Sequence, residues 1–498
     1  MNVLESDLLV IGGGINGVGV AADAAGRGLS VVLCEKDDLA NHTSSYSSKL
    51  IHGGLRYLEQ IEIKLVREAL KEREILMKKA PYMVRPLEFV LPHDKHLRPA
   101  WMIRIGLFLY DYLARRESLK GAKKLNLRKV LEGKPLKEKF KTGFRYTDCQ
   151  TDDARLVVIN ALDAQSHGAM ILTRTDCQSV TREAGHWVAK LYCKNTNEQM
   201  TVHAKALVNA TGPWVSEFLH DIANIKTTAQ VRLIKGSHFT VPKLYKGHYA
   251  YILQNPDGRV VFAIPFKRDF TLIGTTDVPF DTDPNVVTIS EAEINYLLDS
   301  VNYYFSTQLT ERDINWSYAG VRSLYDDKAK KASQITRKYH LDVNEENGRS
   351  PIISIFGGKI TTYRSLSEHV MSLLKKYFPN MGKPWTAHSP LPGSDLKGDN
   401  VNQFFETLKQ EYPWVPIEML SRYAESYGTI TRTILKNAKS LNDLGQCFGA
   451  DLYEAEVDYL IKNEWTQTCE DLIWRRSKLG LVLTDEEINR LKEYIASV

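Results

Sequence analysis

The chain has 498 residues, more than the roughly 250–300 at which one hydrophobic core stops growing, so two or three domains are expected. Apolar residues make up 43% and charged residues 25%, which excludes a disordered chain, a collagen-like repeat and a membrane-embedded bundle. The net charge of +5 is unevenly placed, because residues 104–145 hold 13 Lys or Arg against 4 Asp or Glu while the remainder is slightly acidic.

The N-terminal residues predict a β-α-β unit. The run DLLVI at 7–11 has no helical period and leads into a glycine-rich turn and an alanine-rich stretch, as a strand, a turn and a helix would. A second apolar run, 29–33, leads to Glu35. The first run follows no Lys or Arg and is broken by acidic residues, so it is not typical of a signal peptide.

A dinucleotide fingerprint lies in the turn of this unit. Gly12, Gly14 and Gly17 fit G-x-G-x-x-G, which allows a tight turn, a close approach of the backbone to a pyrophosphate and close packing of helix on strand. Glu35 follows Gly12 by 23 residues and is the acid expected to bind a ribose hydroxyl. The sheet is resumed much later by VNATG and SIFGGKITTYR, which favours FAD over NAD because FAD stays bound across distant segments.

The middle and end of the chain predict two further kinds of structure. Residues 61–80 indicate an exposed helix that stops before Pro81, and short strands recur from 171 to 210. Strands separated by Gly, Asp and Asn turns between 229 and 280 are typical of an antiparallel sheet. Residues 388–400 resemble a linker, and helical periodicity follows it.

These elements predict an α/β plus α+β fold with three parts. A Rossmann-type FAD-binding domain, residues 1–390, is interleaved with an antiparallel-sheet substrate cap formed by roughly 60–145 and 225–340. A small all-helical C-terminal domain covers 391–498.

The cysteines indicate the compartment. Six cysteines are few for this length, and none forms a C-x-x-C pair or pairs with histidine at zinc-finger spacing. A reducing cytoplasm fits best, and no metal site is predicted.

Long motifs give the chain a family resemblance. It resembles the aerobic, FAD-dependent glycerol-3-phosphate dehydrogenases through essentially its whole length, in order. The matching stretches are IGGGINGVGVAADAAGRG, TSSYSSKLIHGGLRYLE, LRPAWMIRIGLFLYD, DDARL, VNATGPWV, RLIKGSH, IGTTDV, GVR and FGGKITTYR. One departure is Ser323, which stands in GVRSL where the family pattern has a proline, and it affects the rigidity of the loop more than the chemistry.

The resemblance implies the reaction and its partners. The substrate would be sn-glycerol 3-phosphate, oxidised to dihydroxyacetone phosphate by hydride transfer from C2 to flavin N5, with the electrons passed to a membrane quinone. It further implies a homodimer. The related oxidases, which use oxygen, typically carry an insertion that makes them longer, so 498 residues favour the dehydrogenase.

The resemblance also implies which residues contact FAD. The Ser/Thr cluster after Glu35 stands where these flavoproteins loop back over the cofactor, and the glycine pair near residue 357 would approach the other end of the flavin. The predicted cofactor contacts are Gly12, Gly14, Ile15, Asn16, Gly17, Glu35, Lys36, Thr43, Ser44, Ser45, Ser48, Lys49, Ala210, Gly212, Gly357, Gly358, Lys359 and Thr361.

A phosphorylated substrate needs cations, because each charge-assisted hydrogen bond to phosphate contributes roughly 1.5–3 kcal/mol. Arginine suits this role because its planar fork addresses two phosphate oxygens at once. The positions that match the family's substrate site are Arg56, Arg322, Arg337 and Lys359, with Tyr57 as a neutral donor.

Oxidation at C2 also needs a base for the hydroxyl proton. His52 and His238 are the natural candidates because histidine titrates near neutrality. Lys359 or Arg322 would need a strongly perturbed pKa to serve instead. The sequence leaves this choice open.

The segment 97–145 indicates a membrane surface. Its apolar residues lie among Arg98, Arg104, Arg115 and Arg116, and a basic run continues to Lys141. Such a helix suits the headgroup region of an anionic membrane. No window approaches the roughly 18 apolar residues of a membrane span. The sequence therefore predicts a peripheral protein on the cytoplasmic face of the inner membrane and in the cytoplasm.

Two other functions use the same features. An amino-acid oxidase or a glycerol-phosphate oxidase that reduces oxygen would share the fold. A flavin-bearing RNA-binding protein would use the basic segment as a nucleic-acid surface. Against the latter, the segment has no RRM-like or KH-like pattern and few interleaved aromatic residues after Tyr112, so no nucleic-acid partner is predicted.

Overall fold

The structure is a computed structural model in which helices are interspersed among single strands and runs of strands before a mostly helical C-terminal region. It describes residues 2–58, 61–114, 117, 119–326, 338–396 and 400–498. The strands are β1 (Asn2–Ile11), β2 (Val31–Cys34), β3 (Leu50–Ile51), β4 (Arg85–Pro92), β5 (Lys123–Asn126), β6 (Thr142–Gln150), β7 (Met170–Leu172), β8 (Thr175–Glu183), β9 (His186–Cys193), β10 (Glu198–Asn209), β11 (Val231–Pro242), β12 (Tyr249–Gln254), β13 (Val260–Phe266), β14 (Phe270–Gly274), β15 (Val278–Pro279), β16 (Trp316–Tyr325), β17 (His340–Glu346), β18 (Arg349–Phe356), β19 (Cys447–Gly449) and β20 (Leu452–Tyr453). The helices are α1 (Ile15–Gly26), α2 (Ile63–Lys79), α3 (Ala100–Tyr112), α4 (Asp153–Ser166), α5 (Val215–Glu217), α6 (Glu291–Tyr304), α7 (Tyr363–Leu374), α8 (Val401–Glu411), α9 (Ile417–Tyr427), α10 (Thr431–Leu435), α11 (Glu454–Asn463) and α12 (Asp485–Ser497).

The first sheet contains the predicted β-α-β unit. Its strand order in the described residues is β17-β18-β10-β1-β2-β7, with β9 and β8 extending from β10. β1 pairs in parallel with β2 and β10, so the ends of these strands meet at one edge, where ligands bind in open α/β sheets. Helix α1 is rich in alanine and glycine, and its small side chains let α7 approach closely. A Cβ on Gly19 would lie 2.7 Å from the Tyr363 ring.

The second sheet has strand order β15-β11-β14-β13-β12-β4-β6-β3 in the described residues, with β16 on β11 and β5 on β6. Its pairs are antiparallel except for β12 with β4. Strands from 50–150 therefore join those from 231–325, and α6 packs on the sheet through Leu297 and Val301.

The predicted helix at 61–80 is present as α2, but it is not fully exposed. Leu65, Val66, Ala69, Leu70 and Leu76 are buried along one face. The charged residues that suggested exposure are themselves partly paired inside, since Glu72 accepts two hydrogen bonds from Arg364 at 2.6 and 2.7 Å.

The C-terminal region has its own hydrophobic cluster, and the predicted helical character is confirmed. Leu408, Leu420, Tyr423, Leu460 and Leu472 are among its buried members. The one addition is a short hairpin of β19 and β20. Part of the predicted linker, residues 397–399, lies outside the described residues, and the domain boundaries stay a prediction.

Helix α3 presents an apolar face outward. Leu107 and Tyr110 are buried, whereas Trp101, Phe108 and Tyr112 are 64%, 59% and 68% exposed. Among the helices that the structure describes, none has both the length and the apolar character needed to span a bilayer.

Candidate active site

A cavity of about 610 Å³ is lined by residues from both sheets. Most of the predicted site residues line it. They are Gly12, Gly14, Ile15, Asn16, Glu35, Lys36, Thr43, Ser44, Ser48, His52, Arg56, Tyr57, Ala210, Gly212, Arg322, Gly357, Gly358, Lys359 and Thr361. Gly17, Ser45, Lys49 and His238 do not line it, and Arg337 lies outside the described residues.

The glycine turn has the tight backbone that the dinucleotide fingerprint requires. No residue with a side chain fits at Gly12 or Gly17. Gly12 has φ +110°, and a Cβ on it would lie 2.5 Å from the carbonyl oxygen of Ala210. A Cβ on Gly17 would lie 1.9 Å from the carbonyl oxygen of Gly12, which explains why Gly17 supports the turn from behind instead of lining the cavity. The second predicted glycine cluster meets this turn, since Asn16 Nδ2 donates to Gly357 O at 3.2 Å.

Glu35 is buried at the end of β2 and orders its surroundings. Its Oε2 accepts the Gly13 N–H at 2.6 Å, and its Oε1 accepts the Asp37 N–H at 2.9 Å. Burial raises the pKa of this carboxyl, and the two backbone hydrogen bonds oppose that rise. Since each carboxylate oxygen has a further lone pair, Glu35 retains capacity for a ribose hydroxyl.

The Ser/Thr cluster is ordered by hydrogen bonds. Ser44 Oγ accepts the N–H of Ile15, the first residue of α1, at 3.0 Å. Thr43 Oγ1 donates to Val321 O at 2.6 Å and so ties the loop to β16. Ser45 points elsewhere, with its hydroxyl donating to His42 O at 3.3 Å.

The side chain of Lys49 is bound outside the cavity lining, and its predicted contact with the cofactor stays a prediction. Its ammonium donates to both oxygens of Asp153, at 2.9 and 3.0 Å, and to Ser45 O at 2.8 Å. A buried ammonium needs a carboxylate partner, and here that partner is Asp153, the first residue of α4. Burial lowers the pKa of Lys49 even so.

The two candidate histidines differ in position. His52 lines the cavity beside Thr361, whose Oγ1 accepts the backbone N–H of His52 at 3.3 Å. His238 is fully buried, stacks on Tyr318 at 4.8 Å between ring centres, and its Nε2 lies 2.9 Å from Ser48 Oγ. The structure therefore sets His238 behind Ser48, one residue away from the cavity.

The pKa of His52 is lowered. Burial is the main cause, the nearby Asp148 carboxylate opposes it, and the cations Lys359 and Arg322 add to it. The imidazole is therefore neutral near pH 7 and able to accept a proton.

Three cationic side chains line the same cavity as His52. Arg322 donates to Asp277 and, at 2.8 Å, to Thr275 Oγ1. Lys359 Nζ lies 4.0 Å from the centre of the Tyr57 ring. Arg56 joins them from the short 3₁₀ turn Leu55–Leu58.

A buried cluster behind Gly53 was not predicted. Asp148 accepts hydrogen bonds from Arg73 Nη1 at 2.6 Å, from Tyr110 at 2.7 Å and from the Gly53 N–H at 3.3 Å. The three donors lie far apart in sequence, and neither Arg73 nor Asp148 belongs to a motif, so only the fold assembles the cluster.

One group resembles a metal site. Ligand atoms of Glu35, Asp37 and His42 lie within 4.8 Å of one another. The group is satisfied internally, because His42 Nε2 lies 2.9 Å from Asp37 Oδ2 and Glu35 accepts two N–H groups. No metal is needed to explain it, and the absence of a metal stays a prediction.

Two family models together match nearly the whole chain. The model described as FAD dependent oxidoreductase matches residues 7–364. The model described as the C-terminal domain of alpha-glycerophosphate oxidase matches residues 384–498.

Similar proteins agree with these matches. The chain is 53% identical to a glycerol-3-phosphate dehydrogenase of Pseudomonas aeruginosa over 99% of this chain and 95% of that protein. It is 48% identical to a D-erythritol 1-phosphate dehydrogenase of Brucella abortus over 97% of this chain and 96% of that protein.

A solved structure agrees as well. The glycerol-3-phosphate dehydrogenase of Bacillus halodurans complexed with FAD superposes with a TM-score of 0.78 at 27% identity, covering 99% of this chain and 94% of that chain. The glycine turn, the carboxylate of Glu35 and the cavity fit the same cofactor, FAD. The chain therefore belongs to the FAD dependent oxidoreductase family, and within it to the FAD-dependent glycerol-3-phosphate dehydrogenases.

Proposed function

We propose that the protein oxidises sn-glycerol 3-phosphate to dihydroxyacetone phosphate with FAD as the immediate electron acceptor. One observation carries the proposal: a cluster of cations and a neutral histidine lines the same cavity as the dinucleotide turn. The names of the relatives in Pseudomonas aeruginosa and Bacillus halodurans support the same substrate.

The cations bind the phosphate in this proposal. Arg56 makes no hydrogen bond or ion pair with the residues that the structure describes, so its guanidinium is available to the substrate. Arg322 is held by Asp277 and Thr275, which fixes its direction before the substrate arrives. A phosphate that is nearly a dianion is matched by Arg56, Arg322 and Lys359 together.

His52 takes the proton of the C2 hydroxyl. FAD, when bound, supplies the two-electron acceptor that receives the hydride from C2. As the hydroxyl proton leaves to the imidazole, the C2–O bond becomes a carbonyl, so the charges balance. The lowered pKa of His52 keeps its ring in the accepting form at neutral pH.

A second substrate deserves the same test. The relative in Brucella abortus, named for D-erythritol 1-phosphate, is 48% identical across nearly the same length. D-erythritol 1-phosphate offers the same pair of groups, a phosphate and a secondary hydroxyl. The cationic cluster and His52 suit either compound. The two substrates differ in the length of the polyol chain, so the space available for that chain would determine which one is preferred.

The electrons then pass to a membrane quinone, and the protein docks on the cytoplasmic face of the inner membrane. The exposed apolar face of α3 supports this docking, as do the exposed Arg104, Lys123, Lys124 and Arg128 near it. Arg115 and Arg116, part of the predicted basic segment, lie outside the described residues. The proposed homodimer rests on the family resemblance alone.

The test is anaerobic mixing of the FAD-loaded protein with candidate substrates while the flavin absorbance near its visible maximum is followed. Glycerol 3-phosphate should bleach the flavin fastest, and a soluble quinone should restore the colour. Faster bleaching by erythritol 1-phosphate would show that the longer polyol phosphate, and not glycerol 3-phosphate, is the preferred substrate. Bleaching by an amino acid, with peroxide formed in air, would contradict both.

A further inference from the structure

A buried ionic contact joins the C-terminal region to the loop that follows β2. Arg476 donates from Nη1 and Nη2 to the two oxygens of Asp38, at 2.7 and 2.8 Å. Arg475 donates to Asp38 as well. Arg476 is 0% exposed and Asp38 is 1% exposed, so water does not screen this contact.

Asp38 stands in the middle of the loop that holds the glycine turn. At one end of this loop, Glu35 accepts the Gly13 N–H at 2.6 Å. At the other end, the Ala40 N–H donates to Gly13 O at 3.1 Å. The loop therefore hydrogen-bonds both the N–H and the carbonyl oxygen of Gly13, and the two C-terminal arginines fix the position of the loop.

The segment 471–478, which we call the C-terminal bridge, reaches two further parts of the cavity wall. Asp471 accepts two hydrogen bonds from Arg174, both at 2.9 Å, and the Arg174 N–H donates to Asp37 O at 2.8 Å. Residues 175–177, directly after Arg174, line the cavity.

The opposite end of the C-terminal bridge contacts the substrate side. Trp474 stacks on Trp316, with ring centres 4.7 Å apart and planes inclined by 6°. Trp316 begins β16, which carries Arg322. Lys478 donates to Asp152 at 3.2 Å, and the next residue, Asp153, accepts the Ser47 hydroxyl at 2.7 Å.

We propose that the C-terminal bridge positions the cofactor wall of the cavity, with Arg476 as its central positioning residue, so that the C-terminal region sets the affinity for FAD. The bridge contacts the loop after Glu35 and Arg174 directly, and it reaches Ser47 through Asp152 and Asp153; each of these segments lines or adjoins the cavity. No residue of the C-terminal bridge lines the cavity, so its effect on FAD acts through the segments that it holds.

Stability alone does not account for such a contact. A buried ion pair often adds little net stability over apolar residues of the same volume, because both charges lose their hydration. What the fork of Arg476 adds is geometry, since its two parallel hydrogen bonds fix both oxygens of Asp38. A coupling of this kind is reciprocal, so bound FAD should also stabilise the C-terminal bridge.

The experiment compares two arginines of the C-terminal region that each bind a buried carboxylate, the buried Arg476 and the half-buried Arg422. Arg476→Met removes the forked contact with Asp38, together with the hydrogen bonds of Arg476 to Glu464 O, and leaves the single contact of Arg475 with Asp38. Arg422→Met removes a matched pair, because Arg422 donates to both oxygens of Glu456 at 2.6 and 2.7 Å and neither residue lines the cavity. The full-length apoprotein is titrated with FAD at a temperature well below the Tm of each variant, and quenching of flavin fluorescence gives Kd.

The proposal expects Arg476→Met to raise the Kd for FAD by about 5- to 150-fold. Arg422→Met should lower Tm and leave Kd unchanged. Arg476→Lys, which keeps the charge without the fork, should give an intermediate Kd and serves as the test if Arg476→Met does not fold.

A second readout uses the rise in Tm on adding FAD, which should be smaller in both Arg476 variants than in the wild type. An unchanged Kd in the Arg476 variants would overturn the proposal. An equal increase in Kd for Arg422→Met would overturn it too, because general loosening would then explain both.

Discussion

At the scale of single residues, the proposed proton transfer depends on His52. We expect His52→Asn to lower kcat by about 10²- to 10⁴-fold, because the C2 hydroxyl loses its proton acceptor. The measurement is the rate of flavin bleaching in single turnover. His238→Asn is the comparison, since His238 stands behind Ser48 and should affect the rate less.

The pH dependence follows from the lowered pKa of His52. As the pH falls through that pKa the imidazole gains a proton and can no longer accept one, so kcat/KM should fall on the acid side. Bound phosphate favours the imidazolium, so the acid limb of kcat should lie at higher pH than that of kcat/KM. Loss of this limb in His238→Asn but not in His52→Asn would contradict the assignment.

Arg56 gives a second prediction at this scale. Arg56→Met should raise KM for glycerol 3-phosphate by about 10- to 100-fold, equivalent to the roughly 1.5–3 kcal/mol of one charge-assisted hydrogen bond. The measurement compares glycerol 3-phosphate with glycerol, because a phosphate contact matters only for the former. Arg312→Met, at an exposed arginine outside the cavity, is the control. Equal effects on both substrates would show that Arg56 does not bind the phosphate.

The sequence predicted residues that belong to motifs and missed those that only the fold assembles. The glycines and Glu35 were predictable because their spacing follows from one β-α-β unit. The ion pair of Lys49 was not predicted, because its partner, Asp153, lies more than a hundred residues away. Asp148 was missed for the same reason, since its partners come from α2, α3 and the turn at Gly53.

At the scale of elements, α3 connects the outer surface to the catalytic turn. Tyr110, one of its buried residues, donates to Asp148, which accepts the N–H of Gly53 next to His52. A Cβ on Gly53 would lie 2.6 Å from the Tyr110 hydroxyl, so helix and turn are in direct contact. Helix α3 therefore contacts the turn that follows His52.

Removing that hydroxyl gives the third prediction. Tyr110→Phe should lower the free energy of unfolding by about 1–3 kcal/mol, because a buried carboxylate loses one of its donors. Denaturant titration measures it. Tyr303→Phe is the control, since Tyr303 donates to Asp94 at 2.6 Å at the surface, where such a bond contributes less. A smaller loss for Tyr110→Phe than for Tyr303→Phe would contradict the importance of the buried cluster.

In the second sheet, strand pairing was predictable only where it is local. The hairpin neighbours β12, β13 and β14 follow one another with polar turns, and the sequence pattern indicated them. The parallel pair of β12 with β4 joins segments about 160 residues apart, and no local pattern encodes it. The sequence indicated that both segments belong to one cap, but it did not indicate which strands join them.

At the scale of the whole molecule, the uneven charge supports the proposed docking on a membrane. The basic segment and the exposed face of α3 are neighbours in sequence, whereas the remainder of the chain is slightly acidic. An anionic surface would attract this side and repel the rest, so the charge distribution orients the molecule as well as binding it.

The fourth prediction tests this docking with vesicles of anionic and of neutral lipid. The wild-type protein should cosediment with anionic vesicles, and added salt should weaken the binding because the basic residues are exposed. Trp101→Ser with Phe108→Ser should lower the partition coefficient by about tenfold or more, since burying one such side chain contributes about 1.5–3 kcal/mol. Ile417→Ser, at an exposed apolar residue of α9, is the matched control and should leave binding unchanged. If the double variant bound as well as the wild type, the apolar face of α3 would not contribute to binding. If, in addition, neutral and anionic vesicles bound the protein equally, its basic neighbours would not contribute either, and α3 would not be the docking surface.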